Sequence, residues 1–207
     1  MADELSAARQ PVRLPARLQL QRCPLFSERL VIEPLEGNRT QRFYRAVLTS
    51  RECLAPWLPW VPQKVTLESC KRYVEACEFD WDRGTALRFA LRYRNQPDLI
   101  GVVSLESILK AHRSCDLGYW LHPAHQGQGL MTEAAGRVVN YAFAQMHLHR
   151  IRCSAAVENL PSRRVAERLQ FQEEGKARDA EMVLGRWLDH IVYGRLAHDF
   201  KPAADGA

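Results

Sequence analysis

The chain has 207 residues, of which 46% are hydrophobic and 26% charged, with a formal net charge of +5. This composition excludes a disordered chain and suits one domain with a core of ordinary size. No apolar run approaches the roughly 18 residues of a membrane span, and the positive residues form no long run, so neither a membrane nor direct nucleic-acid partner is expected.

The start, MADELSAARQPVRLPARLQLQRC, has no apolar stretch and carries Asp3 and Glu4, which argues against a secretory signal. Residues 1–23, with Pro11 and Pro15, read as an extension before a single folded domain over 24–200, and 201–207 as a frayed tail. Alternation in SERLVIEPL (27–35) predicts a first strand. NRTQRFYRAVLTS (38–50) reads as a helix, ended by the proline- and tryptophan-rich LAPWLPWVP (54–62). A second helix follows over 66–82, with Leu67, Cys70, Val74 and Cys77 at near-helical spacing. Strands are predicted at 85–94, 99–108 and 115–123, the first two joined by the turn NQPD. After HQGQG comes a helix in which Leu130, Ala134, Val138 and Ala142 form one row and Met131, Ala135, Val139 and Phe143 the next. A strand at 150–157, a helix at 162–170 and strands near 171–178 and 187–197 close the fold. Helices mixed with a largely antiparallel sheet indicate an α+β or α/β domain.

Six cysteines are scattered without a C-x-x-C pair, which suits reduced thiols in a cytoplasmic protein better than disulfides or zinc. His122 and His125 straddle a proline-containing loop, and His147 and His149 sit at a helix end, with no third ligand nearby, so no metal is expected.

The stretch HPAHQGQGLMTEA (122–134) carries the chemistry. A helix N-terminus leaves backbone N–H groups unpaired and carries about half a positive charge. Gly127 and Gly129 remove side chains where those donors point, so a phosphate can sit on the backbone. A dinucleotide fingerprint would need a third glycine at Thr132, and a P-loop would need Gly-Lys-Ser/Thr. The glycines by themselves leave open a plain connecting turn.

LGYWLHPAHQGQGLMTEAAGRVVNYAF, followed by RIRCSAAVENLPSRRVAERLQFQEEG, resembles the GNAT superfamily of acetyl-CoA-dependent N-acyltransferases, and within it the RimJ/RimL group of ribosomal-protein N-terminal acetyltransferases. The likeness runs from about Ser27 to Leu196. It implies a single α/β (α+β) GNAT-like domain, a mostly antiparallel sheet flanked by helices and splayed at a CoA cleft. It also implies a coenzyme A pyrophosphate on the backbone of Gln126, Gly127, Gln128, Gly129 and Leu130, and a pantetheine arm beside the strand ending Tyr119-Trp120-Leu121. Asn159 and Ser162 match the family's Asn-x-x-Ser, the first implied to bond pantetheine and the second to protonate the departing thiolate. Glu181 stands where the group has a carboxylate facing the amine, a general base acting directly or through water. Two departures stand out: Ala124 occupies a place where the family prefers Arg or Gln, and Gln170 replaces a glycine that would cap a helix.

Other readings of the same residues stay open. Asn159 is a favoured N-cap and Pro161 suits a first helical turn. Trp57 and Trp60, with Tyr119, are candidates for an acceptor wall, or the tryptophans plug the core. Cys115 and Cys153 are read as inert, because direct attack by an amine needs no covalent intermediate. The expected activity is acetyl transfer to a primary amine, foremost a protein or peptide N-terminus. A small amine (aminoglycoside, polyamine or amino-acid analogue) and a non-catalytic CoA-binding role are the rivals, and both monomer and homodimer are compatible with the sequence.

Overall fold

A computed structural model describes residues 11–22, 24–61 and 64–199. Helices are α1 (Arg17–Arg22), α2 (Thr40–Leu54), α3 (Leu67–Arg83), α4 (Leu130–Ala144) and α5 (Leu160–Arg168). Strands are β1 (Leu25–Phe26), β2 (Leu30–Pro34), β3 (Leu87–Tyr93), β4 (Gly101–Leu109), β5 (Ser114–Leu121), β6 (Arg150–Ala156), β7 (Gln172–Val183) and β8 (Arg186–Leu196). They form one sheet in the order β1-β2-β3-β4-β5-β6-β8-β7. Neighbours are antiparallel except β5 and β6, which α4 connects as a parallel crossover.

The helices begin and end where local chemistry dictates. Thr66 and Ser69 form a reciprocal capping box at the start of α3, and Gly84 ends it in the left-handed region, φ 66°. The two predicted rows of α4 are buried along their whole length, from Leu130 and Met131 to Ala142 and Phe143. Burying a Val or Leu side chain contributes about 1.5–3 kcal/mol, so this stripe anchors α4 to the sheet.

Two cores lie on opposite faces. On one, Leu87, Phe89 and Leu91 of β3 and Val103 and Leu105 of β4 share a cluster with α4. On the other, Phe43 and Val47 of α2 and Val74 and Cys77 of α3 cover Ala90, Val102 and Trp120. Helix α1 falls within the stretch read as an extension; its Leu20 is buried, and the Trp81 Nε1 donates to the Pro15 carbonyl at 3.1 Å. Residues 1–10 and 23 of that stretch, and the tail 201–207, lie outside the described residues. Strand β7 is longer than the predicted 171–178, because an edge strand exposed on both faces shows no alternation to read.

Candidate active site

The parallel ladder between β5 and β6 is short. It runs from Ser114↔Arg150 to Leu117↔Cys153 and stops. Beyond that point each strand follows its other partner: β5 stays paired with β4 as far as Leu121↔Gly101, and β6 with β8 as far as Ala156↔His190. Gly101 is needed there, since a Cβ would lie 2.5 Å from the Trp120 carbonyl oxygen. The strands therefore diverge and open a cleft of about 400 Å³. At its throat the Tyr119 hydroxyl donates to the Ser162 carbonyl at 2.8 Å and lies 3.6 Å from Cys153 Sγ. Burial pushes the Tyr119 phenol far above its ordinary range and the Cys153 thiol up to about 11, so both stay protonated near neutrality.

The glycine turn forms one wall. His122 accepts from the Ala124 amide and starts a 3-10 turn over Pro123–His125; Gln126 Nε2 then donates to the Leu121 carbonyl at 2.9 Å. Gly127 and Gly129 both have positive φ, 75° and 77°, and Gly129 is the N-cap of α4 with no side-chain cap. The amides of Gly127, Gln128, Gly129 and Leu130 donate to nothing among the described residues. A Cβ on Gly127 would meet nothing within 4 Å, so its glycine serves backbone conformation and open approach, not internal packing. Four free donors at the end of a 15-residue helix fit a pyrophosphate.

Arg29 locks this wall, a role the sequence did not disclose. It donates to the Gln128 carbonyl at 3.0 Å and grips Glu133 in the first turn of α4 through its amide (2.8 Å) and Nε (2.7 Å). Burial alone would raise the Glu133 carboxyl, but the bonds from Arg29 and Ser27 hold it below its usual 4.5.

The opposite wall is the start of α5. Asn159 Oδ1 accepts from the Ser162 amide at 3.2 Å, so the capping role is real. Its Nδ2 and the Ser162 Oγ have no partner among the described residues, and both residues line the cleft. Asn159 therefore caps the helix and still has a donor to offer. Arg164 and Arg168, one helical turn apart, line the cleft as well.

The remaining expected residues divide. Trp57 lines the cleft and packs on Ala156, Val183 and Leu188. Leu121, Gln126, Gly127, Gly129 and Leu130 also line it, whereas the Gln128 side chain turns away and donates to the Ala124 carbonyl. Trp60 is not brought to the cleft: it stacks on Tyr73 (4.9 Å between ring centroids) within the α2–α3 core. Flat rings gain more there than at a wet rim. Glu181 does not line the cleft either. It sits on β7 opposite Leu188, with a carboxylate oxygen 3.6 Å from His190 Nε2. His190, register partner of Ala156 at the open end of β6, escaped the sequence reading because its pairing follows from the sheet, not from spacing. His122 and His125 lie 5.5 Å apart, and burial and this neighbour lower the His122 pKa. Among the described residues no group of three or more His, Cys, Asp or Glu side chains could hold a metal ion.

A splayed parallel pair, a bare helix N-terminus and an Asn-capped helix facing it agree with comparisons across known proteins. The pattern of the acetyltransferase (GNAT) domain matches residues 29–172. YdaF of Bacillus subtilis (strain 168) is 31% identical over 84% of this chain and 95% of its own. The [ribosomal protein uS5]-alanine N-acetyltransferase of Escherichia coli (strain K12) is 29% identical over 86% and 93%. Among solved structures, a RimL ribosomal L7/L12 α-N-protein acetyltransferase in complex with coenzyme A superimposes with a TM-score of 0.77, at 26% identity, over 82% of this chain and 95% of that one. The chain belongs to the GNAT family of acetyltransferases.

Proposed function

We propose that the protein transfers the acetyl group of acetyl-CoA to the α-amino group of a protein or peptide N-terminus. The observation that carries this reading is the charge of the cleft: among the described residues its lining includes Arg164 and Arg168 and no Asp or Glu. A polyamine or aminoglycoside brings several positive charges and needs carboxylates to receive them; a chain terminus brings one. The amine must also be neutral to attack. With reference pKa values of about 7.7–8.0 for an α-amino group and 10.4 for lysine, about a tenth of the former but only about four in ten thousand of the latter are neutral at pH 7. A cleft without a carboxylate of its own suits the more acidic amine. The names carried by the E. coli relative and the RimL structure support the same acceptor class.

Bound, acetyl-CoA supplies an acetyl group activated as a thioester. The chain's part is to hold and to move protons. The free amides from Gly127 to Leu130 seat the pyrophosphate, Asn159 Nδ2 donates to the pantetheine arm, and β5 offers its bare edge. Ser162 gives its Oγ proton to the departing sulfur and regains one through water from the proton that the amine releases. Glu181, backed by His190, accepts the amine's proton through intervening water, since it stands outside the cleft lining.

Calorimetry with acetyl-CoA, followed by mass spectrometry of N-terminal peptides, spermidine and kanamycin after incubation with it, tests the reading. Tight binding lost in Gly129→Glu and acetylation confined to peptide α-amines are expected. Acetylation of spermidine or kanamycin in preference to every peptide would overturn the acceptor assignment.

A further inference from the structure

Away from the cleft the molecule carries a second concavity of about 420 Å³, walled by Arg39, Arg42, Arg92 and Arg94. Among the described residues a single carboxylate, Glu33, lines it with these four guanidinium groups. Arg39 takes both its oxygens, at 3.0 and 2.9 Å, and Arg92 Nε adds a further bond of 2.9 Å. Arg94 is held by the Ser27 carbonyl and lies over the Phe26 ring. Fixed in this way, Arg92 keeps Nη2 and Arg94 keeps Nη1 without a partner among the described residues, and the exposed Arg42 keeps its whole guanidinium. Oriented guanidinium forks short of counter-charge are suited to carboxylates.

One helix joins this pocket to the cleft. Arg42, Arg45, Thr49 and Cys53 lie three, seven and eleven residues apart from the first, on one stripe of α2, and all four are exposed. Arg42 walls the pocket and Cys53 lines the cleft. At 1.5 Å of rise per residue they are roughly 16 Å apart, the reach of about five extended residues.

We propose that the arginine pocket is a docking site for acidic side chains of the acceptor polypeptide, lying about five to eight residues beyond its N-terminal amine. The assignment rests on the acceptor being a chain terminus. It is favoured over a free anion because Arg45, exposed on the same stripe, extends the positive charge one turn from the pocket, and α2 runs on from there to the cleft at Cys53. Only a ligand that spans both concavities uses all of it. The pocket thereby sets which proteins are modified, while the cleft sets which bond is made.

The test uses two peptides with the same first four residues, one carrying Asp and Glu at residues five to eight and the other Asn and Gln. For the wild type, kcat/KM should be about tenfold higher for the acidic peptide at low salt, mainly through KM, with the preference fading near 0.5 M salt. Arg42→Glu and, separately, Gln96→Glu on the pocket rim should abolish the preference while leaving kcat on the neutral peptide unchanged. Equal use of both peptides by an active wild type would sink the docking site and leave the acetylation intact. Acetylation of neither peptide would remove the acceptor assignment on which the site rests. Inorganic phosphate that binds at the pocket yet leaves the acidic preference undiminished would reassign it to a free anion.

Discussion

At the scale of single residues, Gln170 shows what a departure from family pattern means physically. Helix α5 ends at its C-cap Leu169, and Gln170 follows at φ 59°, the left-handed conformation that glycine adopts without strain. Gln170→Gly should stabilise the protein by about 1 kcal/mol, read as a higher midpoint in thermal or urea unfolding, since the strain of a side chain there is of that order. Ser162 poses a sharper question. Tyr119 bonds to its carbonyl, not its hydroxyl, so Ser162→Ala leaves that contact in place. If Ser162 is the acid, kcat should fall about 10²-fold or more with little change in CoA affinity, in steady-state assays beside calorimetry. An unchanged kcat would move the role to the protonated Tyr119 hydroxyl. Gly127, Gly129 and Asn159 were legible because each answers a local backbone demand within a few residues, whereas Ser162 stood out only through the family resemblance. Arg29 and His190 were hidden, because their partners Glu133 and Glu181 stand 104 residues away or across a hairpin.

At the scale of elements, the glycine turn is held from outside itself. In the proposed role its amides stay unpaired to receive a phosphate, so the turn is not fixed through them. Arg29 fixes it through the Gln128 carbonyl and Glu133 instead. The Glu133 carboxyl has a lowered pKa in the folded protein. Its contribution is thus complete above the ordinary value of 4.5 and is lost as pH falls through the lower, folded value. Arg29→Met should cost about 1 kcal/mol near neutrality and flatten the acid limb of stability, in urea titrations between about pH 3 and 7. It should also weaken CoA binding, since the Gln128 carbonyl would lose its tether. The order of elements was readable from alternation and helical rows wherever one face is buried, as in β3 and α4. It failed for α1, which has six residues, and for the far half of β7, where both faces meet water and no periodicity survives.

At the scale of the molecule, helices cover both faces of the sheet except along β7, and the N-terminal segment ties the end of α3 to the turn after α4. The Arg13 amide donates to the Met146 carbonyl, and Trp81 reaches Pro15 across the α3 end. Trp81→Phe keeps the apolar bulk but strands the Pro15 carbonyl. It should lower stability by about 1 kcal/mol in chemical denaturation while leaving CoA affinity unchanged. The divergence of β5 and β6 has a consequence of a different kind. A sheet ordinarily has two bare margins, and proteins defend them because an unpaired strand invites a stranger's strand. Parting in the middle gives this sheet two more, deep in a slot with room for one slender extended chain at a time. A ligand lying in that slot completes the hydrogen bonding of a margin that no described strand pairs. Acetyl-CoA should therefore suppress heat-induced aggregation as well as raise the melting temperature, and the enzyme's solubility would depend on its own reaction partner.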